Sequence, residues 1–215
     1  MSAVARRALA TRHAAWARRL ARILAGTGVS PNAISVAGLG FGAAAAAAFF
    51  VAPRLGDRAV ASLLLAAVGI QLRLLCNLLD GMVAVEEGRK TARGDLYNEL
   101  PDRLADVVIL VGAGYAIRDF AGGRELGWAA AVAAVLTAYV RALGGSLGLT
   151  QDFAGPMAKQ HRMFTLTIAA LLAALESALG MPARAIRVGL VLIAAGSIAT
   201  AWRRTRRLAA EAGVR

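Results

Sequence analysis

The chain reads as long apolar runs separated by short polar breaks. Runs near 31–52, 59–80, 100–117, 127–149, 164–180 and 185–202 have roughly the 20 residues that a helix needs to cross a hydrocarbon core, and they predict about six transmembrane helices. Alanine and leucine dominate them and strict alternation is missing, which argues against strands and for an all-α, polytopic membrane protein. Ahead of the first run, Leu9, Trp16, Leu20, Ile23 and Leu24 share one helical face, with Arg7, Arg18 and Arg22 opposite. That pattern predicts an amphipathic helix within residues 1–25, lying on anionic headgroups. Ser30 and Pro31 then form a helix start, serine as N-cap and proline at the first helical position. Gly38, Gly40, Gly42 and the alanines from Ala43 to Ala48 suit close helix packing in lipid. No internal repeat or long linker divides the chain, so residues 1–215 form one membrane domain ending in a basic tail, 203–215.

Composition sharpens this picture. Hydrophobic residues make up 58% of the 215 positions, and mean hydropathy is +0.59, too apolar for an ordinary soluble domain. The formal charge of +12 does not point to nucleic acid, because the cations sit at the ends of apolar runs and not on a soluble module with stacking aromatics. Arg6, Arg7, Arg12, Arg18, Arg19 and Arg22 precede the first run, and Arg203, Arg204, Arg206 and Arg207 follow the last. Arg89, Lys90, Arg93, Lys159 and Arg162 fall in the loops after the second and fourth runs. By the positive-inside rule both termini and the loops near 85–95 and 150–162 are cytoplasmic. A bacterial inner (plasma) membrane is the expected location. The arginine-rich start is too interrupted for a cleaved signal peptide, so the N-terminus is read as retained. The single cysteine, Cys76, lies within an apolar run and cannot form a disulfide within the chain.

Ionisable groups in or beside membrane spans are costly and mark candidate sites. Asn77, Asp80 and Ala84 share one helical face at i, i+3 and i+7, and a second segment brings Asp95, Asn98, Asp102 and Asp106 close to one face. Such oxygen-rich, sulfur-free clusters suit magnesium, manganese or calcium. The intervening loop carries Arg89, Lys90, Thr91, Arg93 and Gly94, a mixture able to hold a diphosphate. Arg141 lies inside the fourth run, with Lys159, His161 and Arg162 before the fifth, as a candidate anion site on the same side.

These residues resemble the signature of the CDP-alcohol phosphatidyltransferase family, D-x2-D-G-x2-A-R-x8-G-x3-D-x3-D. The spacing fits without a gap. Asp80, Gly81, Ala84, Gly94 and Asp102 match, whereas Asn77 and Asn98 stand at two of the aspartates and Val85 at the arginine. The Ser-Pro-Asn-Ala-Ile-Ser start at residues 30–35 and the six-span layout also resemble the family. The resemblance implies a metal-dependent transferase of phospholipid biosynthesis. It would move a phosphatidyl group from a CDP-diacylglycerol-type lipid to a small alcohol, releasing CMP, with Mg2+ (or Mn2+) as cofactor. Asn77, Asp80, Asn98 and Asp102 would then be metal ligands, with Asp102 also the general base. Asn32, Asp80, Gly81, Ala84, Thr91 and Gly94 would contact the CDP-lipid, and Arg141, Lys159 and Arg162 the acceptor. Those cations favour a phosphorylated acceptor such as an inositol phosphate or glycerol phosphate. The resemblance further implies a homodimer. The alternative is a catalytically inactive CDP-lipid-binding or scaffold protein, which the loss of two aspartate charges would favour.

Overall fold

The computed structural model describes residues 14–85, 94–118, 120–149, 151–182 and 184–213. They form seven α-helices: α1 (Ala15–Gly26), α2 (Pro31–Val51), α3 (Ala59–Val85), α4 (Gly94–Tyr115), α5 (Gly123–Ser146), α6 (Lys159–Ala178) and α7 (Arg184–Gly213). There is no strand among the described residues. Two short 3-10 turns, Ala52–Arg54 and Gly56–Arg58, join α2 to α3. Helix occupies each of the six apolar runs, and α2 starts where Ser30 and Pro31 predict. Ser30 Oγ accepts the Ala33 N–H at 3.1 Å, with Pro31 in the first turn.

Among the described residues, four segments are long and apolar enough to cross a membrane: Pro31–Arg54, Ala59–Ala84, Gly123–Ser146 and Arg184–Gly213. The helices α4 and α6 fall short of that measure because their first turns carry the charges and amides of the proposed site, Asn98 to Asp106 and Lys159 to Arg162. Pro101 lies inside α4, about two turns from its start, where its missing N–H leaves the Tyr97 carbonyl without its usual helical donor.

Helix α2 packs on α3 and α4, α5 on α4 and α7, and α6 on α3 and α7. Phe49, Ile70, Ile109, Leu110, Met163, Leu166, Ile186, Leu190 and Ile193 fill the centre of the bundle, each fully buried. Large apolar side chains also cover the outside, among them Leu65, Val132, Phe164 and Trp202. An exterior of that kind suits a lipid solvent and would be an aggregation surface in water. Helix α1 lies against α3 through the small side chains of Ala17 and Ala21, which join Ile34, Leu78, Leu79, Met82 and Val83 in a second apolar cluster. Leu20 and Leu24 pack at its edge, while Trp16 and Ile23 face outward; Leu9 lies outside the described residues. The segment 203–213 continues α7 as helix, and Arg204 within it turns inward.

Candidate active site

Near one end of the bundle, α3 to α7 surround a cavity of about 800 Å³. The turn spacing on α3 presents Asn77, Asp80 and Gly81 to it, and α4 presents Asn98, Glu99, Asp102 and Arg103. From the other side come Thr137 and Arg141 of α5, Lys159 and Arg162 of α6, and Arg204 of α7. Of the groups expected from the sequence, Asn77, Asp80, Asn98, Asp102, Arg141, Lys159 and Arg162 therefore share one space, while Asp106 and His161 do not line it and the Asp95 side chain is not among those described. Ala84 is half-buried at the end of α3, Gly94 opens α4, and Asn32 stands in the first turn of α2; none of the three lines this cavity. Thr91 and the loop 86–93, with Arg89, Lys90 and Arg93, lie outside the described residues.

Asp80 is 4% exposed, and its Oδ2 accepts the Ser35 hydroxyl of α2 at 2.6 Å. Its Oδ1 is buried without a hydrogen-bond partner. Beside it is a recess of about 10 Å³, lined by Ser35, Arg73, Asn77, Asp80 and Asp102 among others, about the room one water needs. Asp102 is the hub of the cluster. Its Oδ2 accepts from Asn77 Nδ2 at 2.8 Å and from Lys159 Nζ, while Arg73 Nη2 lies 3.2 Å from its Oδ1. Lys159 Nζ also donates to Asn77 Oδ1 at 2.7 Å.

Below this layer Asp106 is held between two arginines. Arg73 Nη2 donates to Oδ1 at 2.6 Å and Arg162 Nη2 to Oδ2 at 3.2 Å. Arg162 also donates to Thr137 Oγ1 at 3.1 Å and to the Met157 carbonyl at 2.9 Å. At the rim, Arg141 Nη2 donates to Glu99 Oε2 at 2.7 Å, and its guanidinium lies 5.1 Å from the centre of the Phe153 ring. Arg204 closes the cavity floor by donating to the carbonyls of Thr137 at 2.7 Å and Ala154 at 3.0 Å.

Several of these residues were missed from the sequence. Arg73 carried the same signal as Arg141, a cation inside an apolar run. The roles of Ser35, Glu99 and Arg103 carried none, because each depends on a neighbour from another helix or on the exact turn of its own.

Compared by sequence, the chain matches no family model and no curated protein. Compared by structure, it superposes on Mycobacterium tuberculosis phosphatidylinositol phosphate synthase in its manganese and citrate complex. The TM-score is 0.73 at 22% identity, over 89% of this chain and 88% of that one. The fold is that of this synthase. Its form with CDP-DAG bound gives TM-score 0.72 at 23% identity, over 91% and 94% of the two chains. Its apo form gives 0.70 at 21%, over 87% and 93%.

That synthase was seen with manganese, and the donor set here can be tested for a divalent ion. Asp80, Asp102 and the Asn77 carbonyl are hard oxygen donors, and Asp80, whose buried Oδ1 has no hydrogen-bond partner, lines the small recess. These residues fit one such ion. No group of three or more acidic, histidine or cysteine side chains placed to hold a metal ion occurs among the described residues, and Asp102 and Asp106 both already face Arg73.

Proposed function

We propose that the chain transfers the phosphatidyl group of a CDP-diacylglycerol-type lipid to a small alcohol, releasing CMP. One observation carries this reading: the acidic residues of α3 and α4 and the cations of α5 and α6 line the same cavity. A diphosphate needs the first group through a bridging cation, and an anionic acceptor needs the second. Arg141 and Lys159 at that cavity favour a phosphorylated alcohol such as an inositol phosphate or glycerol phosphate. Gly81 on the lining lets the nucleotide approach the α3 backbone, with Ala84, Gly94, Thr91 and Asn32 as further lipid contacts. In the membrane, α4 and α6 cross beside the four more apolar helices, both termini face the cytoplasm, and Trp16 and Ile23 of α1 enter the headgroup layer.

In this reading Asn77, Asp80 and Asp102 hold one Mg2+ or Mn2+, with Asn98 nearby on the cavity wall. When bound, the ion neutralises the diphosphate. Asp102 takes the proton of the acceptor hydroxyl as its oxygen forms a bond to the lipid phosphorus. The bond from that phosphorus to the CMP oxygen breaks, and CMP leaves with the electron pair. Arg141 orients the acceptor phosphate, and Arg162, fixed by Asp106 and Thr137, sets the positive potential of the wall. A second reading, a CDP-lipid-binding protein without turnover, is favoured by the three donors already on Asp102.

The experiment is CMP release from CDP-diacylglycerol by the purified protein in detergent with Mg2+ or Mn2+, a panel of acceptors, and EDTA as control. Metal-dependent release with one acceptor is expected. Lipid binding without release from any acceptor would leave the second reading.

A further inference from the structure

We propose that the end of the bundle away from the cavity holds an anionic phospholipid, its phosphate between Arg54 and Arg124 and its chains against the aromatic side chains beneath them. The inference stands independently of the proposed function.

The two ends of the bundle use their cations differently. Around the cavity, Arg73, Arg141, Lys159 and Arg162 each meet a carboxylate. At the other end, where α2, α4 and α6 finish and α3, α5 and α7 begin, Arg54 and Arg124 are exposed and pair with no carboxylate among the described residues, although Glu125 is the sequence neighbour of Arg124. They meet aromatic rings instead. Arg54 lies 4.3 Å from the centre of the Phe50 ring and donates to the Phe50 carbonyl, and Arg124 lies 5.2 Å from the centre of the Tyr115 ring. Phe50 and Tyr115 are themselves 5.4 Å apart, centre to centre. The four side chains therefore form one row, running from the end of α2 across α4 to α5.

Backbone packing holds that row in place. Gly114 and Gly123, the chain neighbours of Tyr115 and Arg124, approach so closely that a Cβ at Gly114 would stand 2.7 Å from the Gly123 carbonyl oxygen. The ring and the guanidinium are thus brought together by the seating of α4 on α5.

Phe50 is 42% exposed, and Trp128, one turn along α5 from Arg124, is 51% exposed. Aromatic rings at this level suit the boundary between headgroups and chains, with the guanidinium groups at the depth of the phosphates. A guanidinium lying over a ring keeps the N–H donors of its edge, and phosphate oxygens match that edge. Charge selects the lipid. A zwitterionic headgroup would bring a further cation to a place that already holds two, whereas an anionic headgroup brings none. The positive-inside rule gathers cations at the cavity end and does not account for this pair.

Trp128 reports on this end, because the other two tryptophans, Trp16 on α1 and Trp202 on α7, lie toward the cavity end. The full-length protein carrying Trp16→Phe and Trp202→Phe is placed in phosphatidylcholine vesicles that contain chain-brominated phosphatidylglycerol or chain-brominated phosphatidylcholine. Quenching of Trp128 is compared at equal mole fraction, with circular dichroism confirming that each variant is folded. Phosphatidylglycerol is expected to be favoured at Trp128 by about fivefold or more. Arg54→Gln together with Arg124→Gln should bring that preference to within about twofold of none, while Arg203→Gln, near the cavity end, should leave it intact. Equal quenching by the two lipids, a preference that survives the loss of both arginines, or one lost with Arg203→Gln would each overturn the proposal. Loss of the preference on adding soluble glycerol phosphate would assign the arginines to a free phosphate ester and overturn it as well.

Discussion

Arg73 of α3 and Asp106 of α4 meet inside the bundle, with Nη2 donating to Oδ1 at 2.6 Å and side-chain exposures of 1% and 2%. Arg162 of α6 approaches the other oxygen at 3.2 Å, so one carboxylate ties three helices beneath the cavity. Asp106→Ala would leave buried Arg162 without its Asp106 counter-charge and Arg73 with only Asp102, at 3.2 Å, as its carboxylate partner. The expected loss is about 3–5 kcal/mol, read as a lowered thermal midpoint in detergent. A midpoint equal to wild type would show that the triad is not what fixes α4 to its neighbours.

Asp102→Asn keeps the side chain's shape and its place beside Asn77 and Lys159 while removing the base. CMP release should fall by about 10²–10⁴, with membrane insertion and CDP-lipid binding retained. Undiminished release would assign proton removal to another group.

Arg141 is held by Glu99 at 2.7 Å, and the two should act in opposite directions on a phosphorylated acceptor. Arg141→Ala removes a charge-assisted contact, which predicts a KM raised roughly 10- to 100-fold with kcat changed less. Glu99→Gln releases Arg141 and should lower that KM. An uncharged alcohol that is also a substrate should show neither effect, and identical behaviour of the two acceptors would take Arg141 out of the acceptor site.

Close backbone approach fixes α4 to α5. A Cβ at Gly114 would stand 2.7 Å from the Gly123 carbonyl oxygen and 2.8 Å from Gly127 Cα, both backbone atoms that cannot turn aside. Gly114→Ala should cost about 1–3 kcal/mol. At Gly40 a Cβ would meet nothing within 4 Å, and Gly40→Ala should be neutral or stabilising by about 0.5–1 kcal/mol. Equal midpoints for the two variants would contradict the packing account.

Asp152, in the α5–α6 connection, tests a surface contact. Partial burial raises its pKa, but the Ala154 N–H at 2.7 Å and Arg207 at 2.8 Å outweigh this, and the net value lies below the ordinary 3.8. The folded chain thus binds this proton less readily than the unfolded chain does. The contribution is full above the ordinary carboxylate value and fades as pH falls through the lowered one. Asp152→Asn should therefore lower stability by about 0.5 kcal/mol at pH 7, with a difference that shrinks below pH about 4. A gap between the two proteins that is constant from pH 7 to pH 3 would argue against the pairing.

By itself the sequence determined the helical class, the six apolar runs, the Ser30 cap, and the common face of Asn77 and Asp80, because each depends on spacing within one helix or on the length of one run. Only the tertiary structure decided that Lys159 reaches Asn77 across 82 residues, that Asp106 belongs to Arg73 and Arg162, and that Ser35 leaves Asp80 one vacant oxygen. Those facts depend on how α2, α3, α4 and α6 rotate against one another, which spacing within a single helix does not fix. Arg73 shows the boundary between the two: its burial cost was legible as a cation in an apolar run, but its partner was not, since a charge announces that it must be paired without saying by which helix.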